Sequence, residues 1–246
     1  MTAESPVPGA SRTPSPAASG APPILWVGGS KGGVGKTMVT LAVIHRVVED
    51  GRKVVVVECD TSNPDVFKAH NELVPCETVN LDEADGWIRL VNLCSEHGDA
   101  VVVVNTAARN NDAVTAYGRT LNDTLSELGR RLITLWVINR QRDSLELLRQ
   151  YLEAIPGSEL HVIRNGHFGP EAKFELYNGS KIRQAVESRG GRSLTFPDVA
   201  DGVADAIFSR RMALSAAAKE LDLGSRAELR RWQAEIAGVL TKEVLG

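Results

Sequence analysis

Between residues 28 and 40 the chain reads GGSKGGVGKTMVT, with glycines at 28, 29, 32, 33 and 35 and lysines at 31 and 36. Glycines leave the backbone bare, so that its N–H groups can converge on an anion, and a helix that starts just beyond adds its partial positive charge. In Ser30-Lys31-Gly32-Gly33-Val34-Gly35-Lys36-Thr37 the spacing is that of a loop cradling nucleotide phosphates. The backbone of Gly32, Gly33, Val34, Gly35 and Met38 lines the anion, Lys36 reaches the β- and γ-phosphates, and the Thr37 hydroxyl ligates Mg²⁺. A flexible glycine-rich turn with solvated lysines is the competing reading. The apolar run before the loop and the helical spacing after it favour the cradle.

Such a loop needs a strand to launch it and a helix to receive it. Short, nearly uninterrupted apolar runs recur at 24–27, 54–57, 101–104, 133–138 and 160–163. Runs without polar alternation suit strands covered on both faces of a parallel sheet. Helical spacing fills 37–50, 83–97, 112–130 and 143–155. A further helix is expected near 180–188, a short run at 193–196, and two more helical segments from Val199 and Ser225. The alternation predicts an α/β fold, a mostly parallel sheet with helices on both faces joined by right-handed crossovers. In such sheets ligands bind beyond the carboxyl ends of the strands. The chemistry is therefore expected in the loops after Val27, Val57, Val104, Ile138 and Ile163.

Ser30 stands where the ordinary phosphate-loop pattern has glycine, whereas the variant KGGxGK[ST] is matched throughout. On that loop the chain resembles the ParA/MinD family of P-loop ATPases, grouped with the nitrogenase iron protein, over residues 24 to about 200. The resemblance implies that Lys31 reaches across a homodimer interface to the phosphates held by the partner subunit. There a second cation stabilises shifting charge much as an arginine finger does. It implies that Asp60, in Glu58-Cys59-Asp60, orients the attacking water and the metal's water shell, with Glu58 in place of the more usual first aspartate. An aspartate ending a strand also serves simply to cap the next turn, and Asp65 is a weaker candidate. The family's metal-linked aspartate after the third apolar run is here Asn105, which keeps a carbonyl for a metal-bound water but lacks the charge that Mg²⁺ favours. Slow ATP hydrolysis is the expectation, with Asn105→Asp raising it. Asn165 corresponds to an asparagine that reads the adenine edge, Asn139 being the alternative and a turn role open to both. Pro197 and Asp198 resemble the later loop lining the base.

Composition bounds the remainder. Of 246 residues 43% are hydrophobic and 24% charged, values of an ordinary packed domain, and the formal net charge is −3. That balance excludes a strongly basic nucleic-acid binder and leaves room for a local patch. Arg226, Arg230 and Arg231 form the candidate DNA-binding face, although Glu228 and Glu235 between them also describe a solvated helix. Cys59, Cys76 and Cys94 form no CxxC pair, which fits a reducing cytoplasm. Residues 1–22, rich in Pro, Ser and Ala, are expected to be a disordered tail and 23–246 one nucleotide-binding domain. No apolar stretch is long enough to span a membrane. Asp82-Glu83-Ala84-Asp85 is expected to start a helix, and Trp87, Trp136 and Trp232 to be packing anchors.

Taken with the resemblance, these features imply a cytoplasmic, ATP- and Mg²⁺-dependent homodimerising switch. Plasmid partition or DNA positioning, with nonspecific DNA and a DNA-binding protein as partners, is the leading role. The alternatives are a hydrolysis-impaired module of conjugation or mobilisation machinery, a metal-cluster carrier, and a small-molecule P-loop enzyme.

Overall fold

The computed structural model describes residues 20–29, 32–108 and 110–246. Residues 1–19, Ser30, Lys31 and Arg109 lie outside the described residues, and with them most of the expected tail and the lysine assigned to the dimer interface.

The strands are β1 (Ile24–Gly29), β2 (Val54–Glu58), β3 (Cys76–Thr78), β4 (Val101–Asn105), β5 (Leu132–Ile138), β6 (Glu159–Asn165) and β7 (Ser193–Phe196). They form one parallel sheet in the order β3-β2-β4-β1-β5-β6-β7. The helices are α1 (Lys36–Glu49), α2 (Asp65–His70), α3 (Ala84–Glu96), α4 (Asn111–Leu128), α5 (Asp143–Ala154), α6 (Glu175–Asn178), α7 (Lys181–Ser188), α8 (Asp201–Ser209), α9 (Leu214–Glu220), α10 (Leu223–Val239) and α11 (Lys242–Leu245). Among them none is long and apolar enough to cross a membrane.

Strand parity divides the core in two. Leu25, Val27, Val54, Val56, Val101, Val103, Ile133 and Leu135 face α1, α8, α9 and α10. Ile24, Trp26, Val55, Val57, Val102, Val104, Leu132 and Trp136 face α3, α4, α5 and α7. The chain leaves β1 toward one edge with α1 on one face, then returns through β4 toward the other edge. Right-handed crossovers put the helices of these two directions on opposite faces. The reversal lies beside β1, so the loops after β1 and β4 open at a topological switch point.

All five apolar runs are strands, and the run at 193–196 is β7. The expected helices coincide with α1, α3, α4, α5, α7, α8 and α10 to within a few residues. Strand β3 and the short helices α2, α6, α9 and α11 escape a periodicity search: β3 is three residues, Cys-Glu-Thr, only partly buried, and the helices span one or two turns. Tryptophans serve as anchors on the α3–α5 face, where Trp26 stacks on Trp87 at 5.7 Å and Trp136 tilts against Tyr151 at 5.0 Å. Arg130, 3% exposed, donates to the carbonyls of Pro22, Pro23, Cys94, His97 and Ala100. That fan of carbonyl dipoles solvates an otherwise costly buried cation and ties the start of β1 to the end of α3.

Candidate nucleotide site

At the carboxyl edge of the sheet lies a cavity of about 630 Å³, within the range of small-molecule sites. It is lined from one side by Gly32, Gly33, Gly35, Lys36, Thr37 and Met38, and from the other by Asn165, His167 and residues 196–199. Asp60 and Asn105 also line it. The structure thus brings together the loop, Asp60, the asparagine on β4 and the loop after β7, which are remote in sequence.

The loop has the form its glycines allow. Gly33 and Gly35 adopt φ of +77° and +98°, which L side chains rarely take. A Cβ on Gly35 would also lie 2.3 Å from Asn165 Nδ2. Val34 between them is fully buried and pins the loop to the sheet. Gly35 is the N-cap of α1; no described side chain caps that helix and its first turn holds no acidic residue. The helix N-terminus thus presents its partial positive charge at the cavity, as an anion site requires. Lys36 is mostly buried, and desolvation lowers its pKa to about 8 against the opposing pull of Asp60. An ammonium held short of solvent beside one carboxylate is suited to a phosphate, which restores its full charge.

The carboxylate side is built by strand register. Glu58 and Asn105 are paired residues at the ends of β2 and β4. They share the parity of Val56 and Val103, so both side chains point toward α1. Glu58 is fully buried and does not line the cavity. Its Oε1 accepts the Asp60 N–H at 2.8 Å and Asn105 Nδ2 at 2.8 Å, and its Oε2 accepts the Val66 N–H at 3.1 Å. Burial pushes its carboxyl up to about 7, while these donors favour the ionised form. Thr40 Oγ1 lies 2.9 Å from both Asn105 Oδ1 and the Lys36 carbonyl, which share its one proton. Asp60, partly exposed to the cavity, accepts the Asn63 N–H at 3.2 Å. It therefore combines the turn-capping role and the cavity-facing position that the sequence leaves as alternatives. Asp65 begins α2 and lies 3.9 Å from Lys68, an ordinary surface pair.

The two asparagines separate cleanly. Asn139 Oδ1 accepts from the Gln141 N–H and Ser144 Oγ, starting α5 as a turn former. Asn165 lines the cavity, but its Nδ2 donates to the Val34 carbonyl at 2.8 Å and its Oδ1 accepts the His167 N–H at 3.1 Å. Its amide braces the phosphate loop, a role the sequence does not disclose. On the far wall Trp232 Nε1 holds the Pro197 carbonyl at 2.9 Å, and His167 Nδ1 faces Asp198 at 3.4 Å. Trp232 packs edge-on against Phe196, so it is both an anchor and the prop of the loop lining the cavity.

The three arginines of the expected DNA face lie on α10. Arg226 donates to the Leu221 carbonyl at 2.8 Å, behind α9, and Arg231 pairs with Glu228 and Glu235. Arg230 is exposed. Two of the three cations are thus held by the helix's own neighbourhood. Asp82-Glu83-Ala84-Asp85 leads into α3 as expected, with Asp82 accepting from Asn110 Nδ2 at 2.8 Å. Thr40 and Asn110, polar and buried, were missed; the only signal for Thr40 is a hydroxyl on an otherwise apolar helix face.

Comparison with known proteins agrees with the geometry. The chain resembles Protein MobD of Acidithiobacillus ferrooxidans, with 63% identity over 217 residues covering 88% of this chain and 96% of that one. In fold it is similar to the MinD cell division protein of Aquifex aeolicus, at TM-score 0.51 and 13% identity over 88% of this chain and 97% of that one. It is similar also to the signal recognition particle receptor FtsY of Elizabethkingia anophelis, at TM-score 0.51 and 16% identity over 89% and 67%. Residues 25–165, from the first residues of β1 through the asparagine that braces the loop, match the CobQ/CobB/MinD/ParA nucleotide binding domain, and the chain belongs to that family.

Proposed function

We propose that this chain binds ATP with Mg²⁺ in the cavity at the carboxyl edge of the sheet, pairs with a second copy when it does so, and hydrolyses the nucleotide slowly. The observation that carries the reading is the start of α1, capped by no described side chain, with Lys36 and two positive-φ glycines facing a cavity of nucleotide size. In it, the N–H groups of the loop and the Lys36 ammonium hold the phosphates, and Thr37 offers a hydroxyl oxygen to the metal. Mg²⁺, when bound, spreads the charge that develops on the phosphates. Asp60, fixed by its own N–H to Glu58, aligns a water in the cavity, and Lys31 closes the site across the dimer. Asn105 brings an amide where a carboxylate would hold the metal more strongly, which supports slow turnover.

Of the roles open to such a switch, a module of mobilisation machinery is favoured over plasmid partition by two observations. One is the 63% identical relative named MobD. The other is the pairing of Arg226 and Arg231 within the fold, which weakens α10 as a DNA face. A metal-cluster carrier is disfavoured because Cys59 and Cys94 are buried in the core. Equilibrium binding of ATP with and without Mg²⁺, combined with light scattering, tests the reading. Wild type is expected to bind and dimerise, Lys36→Ala to lose binding, and Lys31→Ala to bind yet stay monomeric. A Lys31→Ala protein that dimerises normally removes the pairing claim.

A further inference from the structure

Among the described residues Glu58 meets donors only: the Asp60 N–H, the Val66 N–H and Asn105 Nδ2, spread over both carboxylate oxygens at 2.8, 3.1 and 2.8 Å. Two of those donors are backbone groups and cannot be exchanged. A glutamine at 58 would turn its NH₂ toward one of them, so the position demands a residue that accepts at both oxygens. The third partner must then donate, and asparagine does so while its Oδ1 lies 2.9 Å from the Thr40 hydroxyl, whose single proton is shared with the Lys36 carbonyl at the same distance. An aspartate at 105 has no donor to offer. It would set two carboxyl groups in contact where residue 58 is 0% and residue 105 only 2% exposed, so that one must take up a proton or the contact must break.

We propose that Glu58 and Asn105 are a matched pair, in which the carboxylate at 58, one methylene longer than aspartate, requires a donor at 105 and, through the Asp60 N–H, positions Asp60 at the cavity. Glu58 is a positioning residue and Asn105 is its obligate donor, not a damaged aspartate. The sequence expectation that Asn105→Asp raises turnover is accordingly reversed. The aspartate is tolerated only when residue 58 is shortened and withdrawn from it. The inference deepens the nucleotide-site reading by naming what holds Asp60, but its first readout needs no nucleotide.

Thermal unfolding of wild type, Asn105→Asp, Glu58→Asp and the double variant, all without ligand, supplies the test. Asn105→Asp is expected to lower the midpoint on the order of 10 °C, the scale of one uncompensated buried charge in a chain of this size. The double variant is expected to melt above Asn105→Asp, although Glu58→Asp alone melts below wild type. Such a rescue is not produced by two independent structural losses. An Asn105→Asp protein as stable as wild type, or losses that simply add in the double variant, overturns the pair. If Asn105→Asp gives no folded protein, the double variant decides: folded protein supports the pair and unfolded protein overturns it. Hydrolysis of Mg-ATP is then measured on the folded variants. The double variant is expected to regain turnover lost in Asn105→Asp, and a faster Asn105→Asp overturns the proposal. Wild type that binds no Mg-ATP refutes the nucleotide reading and leaves the stability comparison standing.

Discussion

The loop after β1 and the corner where β2 and β4 end lie side by side at the same edge of the sheet, and they treat their polar groups in contrary ways. In the loop, Gly33 and Gly35 hold backbone shapes that aim at the cavity, and α1 starts without a described side-chain cap. In the corner, Asn105 bonds to both Glu58 and Thr40, Glu58 accepts from two backbone N–H groups, the Thr40 hydroxyl also faces the Lys36 carbonyl, and only Asn105 of the three lines the cavity. The first region is organised for something that arrives, the second for its own internal fit. A polar group facing a cavity is available to a ligand, whereas a buried one must be satisfied within the protein or cost a few kcal/mol. On the proposed pairing of Glu58 with Asn105, a substitution copied from relatives is therefore expected to suit the loop better than the corner. The loop answers to the ligand, but the corner answers to its neighbours.

The largest effect that would break this contrast is expected from Gly35→Ala. Its φ of +98° and the 2.3 Å approach of Asn165 Nδ2 leave no place for a methyl group. ATP affinity should fall about 100-fold, the equivalent of roughly 2.8 kcal/mol, by isothermal calorimetry. Unchanged binding would mean that the loop is not the cradle. Asn165→Ala removes the brace on Val34 and should cost about 1–2 kcal/mol of stability and about tenfold in affinity. An effect on base preference with the phosphate affinity intact would instead place Asn165 at the base.

The charge of Lys36 sharpens the contrast through pH. Burial lowers its pKa to about 8 from 10.5. The phosphates bind the charged form, so at pH 9 about a tenth of the unliganded protein remains ready and affinity should be about tenfold weaker than at pH 7. Folding follows the opposite sign. The unfolded chain keeps its proton to higher pH than the folded one, so this group adds stability as pH rises from about 8 to 10.5. A flat affinity profile over that range would remove Lys36 as the phosphate cation. The smallest effect is expected at α10. Arg231→Ala should leave nucleotide affinity and any retention on duplex DNA at low salt unchanged, because its guanidinium is already paired with Glu228 and Glu235. A clear loss of DNA retention would restore the helix as a binding face.

What the sequence discloses follows from how local each signal is. Val54–Glu58 and Val101–Asn105 are legible as buried parallel strands because a strand covered on both faces is apolar at every position. Strand β3 is not, since its Cys-Glu-Thr carries neither alternation nor an apolar run. Among site residues, the loop from Gly32 to Thr37 is readable because backbone shape, charge and spacing all lie within one short segment. Asn165 is readable as a residue near the cavity and not as a brace, because its partner Val34 lies 131 positions away. Trp232 is readable as an anchor and not as the prop of Pro197 for the same reason.

By itself, then, the sequence determined the α/β alternation, the phosphate loop and the family to which that loop points. These depend on periodicities of two and 3.6 residues and on glycine's freedom at φ above zero, which are properties of neighbours in the chain. Only the tertiary structure decided what Asn105 is for. Register between β2 and β4 set it against Glu58, and α1 brought Thr40 to its other side. Its role is fixed by which donors and acceptors the fold packs around it, and no spacing along the chain records that.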